Sequence, residues 1–193
     1  MSFRSETKFR LSYGDHYLLK SNLISAGMNV LYPNRIVNSE YYDNEKLQMF
    51  YDSEEGVLPR KKIRIRWYKD ISKKKLEVKI SSIEGRFKTS NDASQSTSGR
   101  YKNDLYYGKI SPSLLVRYKR EYYEFKGLRF TFDSSISYRN LRNQSKKIVK
   151  DRETVLEIKT SNLNIQDYIF KFIKVQTSRF SKYSRGIQQT KFI

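Results

Sequence analysis

The sequence predicts a mainly β, α+β fold: an eight-stranded antiparallel barrel, or tunnel, with flanking helices. Three observations lead there. Charged and apolar residues alternate in steps of two along several short runs, which puts them on opposite faces of strands. Eight strand segments can be counted, an even number that lets an antiparallel sheet close without exposed edges. Segments with helical spacing or helix stop signals lie between and after them.

Residues 3–11 read as the first strand, with Arg4, Glu6, Lys8 and Arg10 on one face. Residues 15–26 read as a helix with a stripe of Leu18, Leu19, Leu23 and Ile24, Asp15 as cap and Gly27 as stop. A second strand spans 36–43, and a short polar helix or turn spans 45–55 and ends at Gly56. Residues 61–69 and 74–80 form a hairpin in which Lys62, Arg64, Arg66, Glu77 and Lys79 stand opposite Ile63, Ile65, Trp67, Leu76, Val78 and Ile80. A short strand follows at 85–88. Residues 89–99, TSNDASQSTSG, hold Ala93 as their one apolar residue and predict a mobile loop. A short helix or turn is expected at 100–110. Strands at 114–124 and 128–133 flank a turn at Lys126-Gly127, the second presenting Arg129, Thr131 and Asp133 on one face. Residues 145–152 form a basic connector, 153–159 the last strand, with Glu157 and Lys159 on its charged face. Residues 165–176 read as an outer helix through Ile165, Tyr168, Ile169, Phe172 and Ile173. With no repeat and no linker evident, residues 1–193 read as one domain.

Charge narrows the partner. Lys and Arg number 39 against 20 Asp and Glu, a net of +19, and such self-repulsion favours a polyanionic ligand. Nucleic acid is the first inference from that balance and an anionic lipid surface the second. Yet the basic residues sit at strand spacing, with no helix-turn-helix, zinc-finger or RNP1-like string, so no nucleic acid is expected as partner. The 15% aromatic content, mostly Tyr, also suits base stacking on an open sheet.

The inventory excludes much chemistry. The absence of Cys excludes disulfides and zinc-thiolate sites. The lone histidine, His16, reads as a surface or packing residue, and having only one excludes Ser-His-Asp, Cys-His and His-based metal arrangements. Neither a P-loop nor a GxGxxG string occurs, so side chains would have to cradle any phosphate. The chain shows no apolar run of membrane-spanning length and no signal-peptide core, which predicts a cytoplasmic protein without membrane insertion. Attachment through a membrane-protein partner stays open. The Arg-rich faces with isolated Glu residues suit a closed sheet holding a polyanion and a metal.

Eight strings carry a likeness: Arg4 to Phe9 (RSETKF), SEYYDN, KIRIRWY, LEVK, RYKREYY, LRFTFD, VLEIK and RFSKYSRG, in that order. Together they resemble the VTC domain, the polyphosphate-polymerase branch of the triphosphate tunnel metalloenzymes, also called CYTH-like. The resemblance implies an eight-stranded tunnel that binds ATP or another nucleoside triphosphate with Mn2+ or Mg2+ and moves the terminal phosphoryl group onto polyphosphate. By position, it implies Lys8, Arg64, Arg66, Arg120, Arg129 and Lys182 as catalytic groups. Lys62, Lys79, Lys88, Tyr118, Lys159 and Ser181 are implied as substrate-binding groups, and Glu157 as the metal ligand. Arg117 and Lys119 have the wrong strand parity to join Arg120. The wider superfamily opens with two glutamates and a lysine, whereas Arg4 stands here before Glu6 and Lys8, which weakens a two-metal hydrolase reading. Glu6 and Glu77 are expected to pair with neighbouring cations. A tripolyphosphatase or nucleoside triphosphatase and a silent polyphosphate or nucleic-acid binder remain the alternatives.

Overall fold

In a computed structural model, the structure describes residues 5–70, 72–93, 101–143, 146–160 and 173–191. Ten strands and three helices are found among them: β1 (Ser5–Leu11), α1 (Tyr13–Ser25), β2 (Asn29–Asp43), α2 (Gln48–Glu55), β3 (Arg60–Trp67), β4 (Lys75–Ser82), β5 (Gly85–Asp92), β6 (Lys102–Asp104), β7 (Gly108–Phe125), β8 (Leu128–Asn140), β9 (Val149–Lys150), β10 (Thr154–Thr160) and α3 (Lys182–Thr190). The main antiparallel sheet orders eight strands as β1-β10-β8-β7-β2-β3-β4-β5, with β6 on β7 and β9 on β8. Those eight are the predicted eight.

The chain divides into two compact units. The first takes Met1–Arg35, Tyr118–Ile136 and Asp151–Phe180; the second takes Ile36–Arg117, Ser137–Lys150 and Ser181–Ile193. Both are discontinuous in sequence, because β2, β7 and β8 each contribute to both.

In the first unit, alternation decides the faces. Phe9 and Leu11 of β1, Leu156 and Ile158 of β10, Phe130 and Phe132 of β8, and Tyr123 and Phe125 of β7 bury one side against Leu19 and Leu23 of α1. Each fully buried Phe contributes about 2 kcal/mol of transfer free energy, so a one-residue slip that exposed this face would be costly. Helix α1 starts two residues before the predicted position, because Ser12 is the cap: its Oγ accepts from Asp15 N at 3.0 Å and donates to Asp15 Oδ2 at 2.7 Å. Of the predicted stripe only Leu19 and Leu23 are buried, while Leu18 and Ile24 face solvent. At the β7–β8 turn, Lys126 and Gly127 both have positive φ, 51° and 76°, the primed geometry that matches strand twist.

In the second unit, Tyr42, Met49, Ile63, Ile65, Tyr107 and Ile110 form the apolar side, with Trp67, Leu76 and Val78 packed on it. Asp43 holds the start of α2, accepting from Met49 N and Phe50 N at 3.0 Å each. Several expectations change here. Residues 89–92 are not loop but the end of β5, paired with β4 through Thr89↔Val78 and Ser90↔Glu77; backbone pairing needs no apolar side chain. Residues 101–110 hold β6, a turn at 105–107 and the start of β7, so the turn of the expected helix or turn is present and strands flank it. In the other unit, residues 173–176 carry no helix, and residues 94–99 and 165–172 of the predicted loop and helix lie outside the described residues.

Helix α3 was not predicted. Its buried face is Tyr183, Ser184, Gly186, Ile187 and Thr190, too polar to read as an apolar stripe. Gly186 makes the docking possible: a Cβ there would lie 2.5 Å from Leu114 Cδ2 and 2.6 Å from Tyr138 Cδ1, both in fully buried side chains. Gly186→Ala is therefore expected to cost about 1–3 kcal/mol by overpacking, lowering Tm by roughly 2–10 °C in a chain of this size. An unchanged thermal midpoint would contradict this close contact.

Candidate functional site

Two clusters of charge stand on the non-apolar faces, one in each unit. In the first unit, strand register sets up three rows. Glu6 lies opposite Lys159, which lies opposite Arg129; Lys8 opposite Glu157, opposite Thr131; Arg10 opposite Val155, opposite Asp133. Glu6 pairs with Lys8 at 3.0 Å and with Lys159 at 3.4 Å, as expected for it. Lys159 also reaches Glu157 Oε1 at 3.0 Å, and Lys8 Nζ donates to the Phe180 carbonyl at 3.2 Å. Arg120 donates to Asp133 through two 2.6 Å bonds, with its guanidinium 5.3 Å from the Tyr118 ring centroid. Arg129 keeps a buried Nε with no hydrogen-bond partner, an unsatisfied donor that an anion would relieve. Arg10 bonds Glu153 instead of joining this cluster.

Glu157 is the focus of the first cluster. Burial by itself would raise its pKa, but Arg120, Lys159 and Lys8 hold it well below the carboxylate range. It is an ionised, hard oxygen donor. Among the described residues no group of three His, Cys, Asp or Glu side chains forms a metal cage. A lone ionised carboxylate such as Glu157 has the hard oxygen donors that suit a divalent ion keeping water and phosphate oxygens as most of its ligands.

In the second unit, Glu77 binds three cations: Arg64 at 2.6 Å, Lys88 at 2.6 Å and Arg66 at 3.8 Å. Burial pushes its pKa up, but Arg64 and Arg66, followed by the Lys88 bond, bring it down to about 2. The register places Lys62 opposite Lys79 and Lys79 opposite Lys88. Three lysines thus share one cross-strand row, with roughly 5 Å between neighbouring Cβ atoms, and the Lys88 ammonium at its end is taken by Glu77. Lys62 Nζ donates to Ser181 Oγ at 2.9 Å, and Ser181 is also the N-cap of α3, holding Ser184 N. Lys182 is the first residue of that helix.

Sequence reasoning missed the tyrosines of this cluster. Arg64 NH1 donates to the Tyr41 hydroxyl at 2.9 Å; Tyr41 stacks on Tyr183 with centroids 5.0 Å apart; and Tyr183 donates to Asp43. The odd positions of SEYYDN, Ser39, Tyr41 and Asp43, share one strand face, and Ser39 and Tyr41 lie opposite Arg66 and Arg64, so parity held the signal. Burial would raise the Tyr41 pKa, but Arg64, Arg66 and Lys62 lower it to about 7. Because the folded state favours the phenolate, its stabilising effect is complete above pH 10, declines as pH falls, and is gone below about 7. A tyrosinate absorbance step near pH 7 that disappears in Tyr41→Phe is the expected titration; a wild-type protein whose tyrosines all ionise near pH 10 would contradict it.

A profile of the VTC domain matches residues 3–191. The chain belongs to the VTC domain family. Solved structures share the fold of this VTC domain at low identity. A candidate adenylyl cyclase from Hippeastrum with dominant triphosphatase activity is 15% identical, with a TM-score of 0.59 over 97% of each chain. The PH1819 protein from Pyrococcus horikoshii OT3 is 15% identical, with a TM-score of 0.58 over 96% of each chain. A candidate adenylate cyclase from Bacillus halodurans is 11% identical, with a TM-score of 0.58 over 98% of each chain. No match was found among curated proteins. The mainly β, triphosphate-tunnel type of fold is thus the one the sequence predicts, and among the described residues no helix is long and apolar enough to cross a membrane.

Proposed function

We propose that this VTC domain is a metal-assisted polyphosphate polymerase, transferring the terminal phosphoryl group of ATP to a polyphosphate chain and releasing ADP. The observation that carries the reading is the in-register row Lys62–Lys79–Lys88 beside the Arg64–Arg66 pair, in a protein of this family. A linear polyanion matches a linear row of lysines in a chain with so large an excess of positive charge.

Phosphoryl transfer needs neutralisation of oxygen charge and in-line positioning more than a covalent nucleophile. Lys8, Arg64, Arg66, Arg120, Arg129 and Lys182 are the groups assigned to that neutralisation, and Lys62, Lys79, Lys88, Tyr118, Lys159 and Ser181 to holding the phosphate chain. Each charge-assisted bond is worth roughly 1.5–3 kcal/mol, so a few of them hold a triphosphate. Glu157 would hold Mn2+ or Mg2+, which when bound neutralises phosphate oxygens. Arg120 is fixed by Asp133 before substrate arrives, so it presents charge without reorganising.

Purified protein incubated with ATP and Mn2+ should yield long-chain polyphosphate on a gel. ADP release without chain growth would instead favour a triphosphatase, the second reading, which the Hippeastrum neighbour supports. Tripolyphosphate should also raise Tm more than single-stranded DNA of equal charge. The reverse ranking would favour a nucleic-acid reader. We place the protein in the cytoplasm.

A further inference from the structure

We propose that Tyr122, Tyr32 and Arg35 form a stacking platform for the base of a nucleoside triphosphate. The inference rests on the triphosphate reading above and adds a base site to it.

The register locates the platform. Lys8 lies opposite Glu157, and Glu157 opposite Thr131. The two-residue turn at Lys126-Gly127 carries the register onto β7, putting Tyr122 opposite Thr131 and Arg120 opposite Asp133. The doubly bonded Arg120–Asp133 pair agrees with that register. Tyr122 therefore stands in the same cross-strand row as Lys8 and Glu157, two strand spacings, or about 10 Å, from Glu157. Its neighbours Tyr123 and Phe125 belong to the apolar core on the other face, so alternation points Tyr122 to the charged side with Tyr118 and Arg120.

The surroundings suit a base. The Tyr32 ring meets Tyr122 edge-on with centroids 5.9 Å apart, and the Arg35 guanidinium lies 5.8 Å from the Tyr122 centroid. Tyr32 is 48% exposed and Tyr122 is half-buried, so a planar ring can reach this group from solvent. Aromatic faces and a guanidinium plane are the surfaces on which nucleobases stack. A phosphate chain bound at Lys8 and Arg120 would leave its nucleoside within reach of them.

The test compares ATP with inorganic tripolyphosphate by calorimetric titration of the full chain. The wild-type protein should bind ATP more tightly than tripolyphosphate. Tyr122→Leu and, at the more exposed position, Tyr32→Ala should each weaken ATP about tenfold and leave tripolyphosphate unchanged. Equal affinity of the wild type for both ligands, or variants that change both alike, would overturn the platform. A single-stranded oligonucleotide that competes better than ATP would overturn it as well, reassigning the rings to nucleic acid. Binding of neither ATP nor tripolyphosphate would remove the triphosphate reading itself, and the platform with it.

Discussion

Glu157→Gln is expected to lower turnover by roughly a hundredfold or more while tripolyphosphate binds as well as before, or more tightly. The carboxylate is held ionised by Arg120, Lys159 and Lys8; the amide has nearly the same shape but no charge. Anion affinity should survive, because the substitution removes a negative charge from a cationic cluster. The fold should survive too, since Lys159 and Lys8 keep Glu6 and Arg120 keeps Asp133. Parallel measurements of phosphate transfer and calorimetric binding separate the two effects. Full turnover in this variant would remove Glu157 from the reaction.

Arg120→Ala should have the largest effect on stability. Asp133 is fully buried, and each of its carboxylate oxygens accepts a bond from this guanidinium. Deleting one partner of such a pair typically costs about 3–5 kcal/mol, because the remaining charge is stranded without solvent. The double variant Arg120→Met with Asp133→Leu removes both charges and should recover most of that loss. Denaturant midpoints of the two single variants and the double variant give the coupling directly. A single variant as stable as the wild type would mean that Arg120 is not what holds the Asp133 charge. Restored stability in the double variant without restored turnover would assign Arg120 a role beyond holding the fold.

The two clusters were legible to different degrees. Strand parity already placed Lys62, Arg64 and Arg66 on one face and set Arg117 and Lys119 apart from Arg120. It also expected Glu6 and Glu77 to pair with cations, and both do. Parity alone could not show that Glu77 serves three cations, or that Lys62, Lys79 and Lys88 form one row. Those facts depend on register between strands, set by contacts far apart in sequence. The role of Ser181 as both helix cap and partner of Lys62 depends on α3, which joins two residues 119 positions apart.

Alternation of charge and hydrocarbon along each strand is a local property, so the mainly β class, the eight principal strands and their charged faces could be read from the letters. Membership of the VTC family was legible for a related reason: seven of its eight strings follow those same strands in order, and the eighth leads into α3. Three things came only with the folded chain: the continuation of β5 through polar residues, the docking of α3 through Gly186 against Leu114 and Tyr138, and the pairing of Tyr41 with Arg64. The cause is common to all three. Backbone pairing, close approach and the electrostatic environment of a buried hydroxyl arise between segments distant in sequence, and no local pattern encodes the neighbour that will be there.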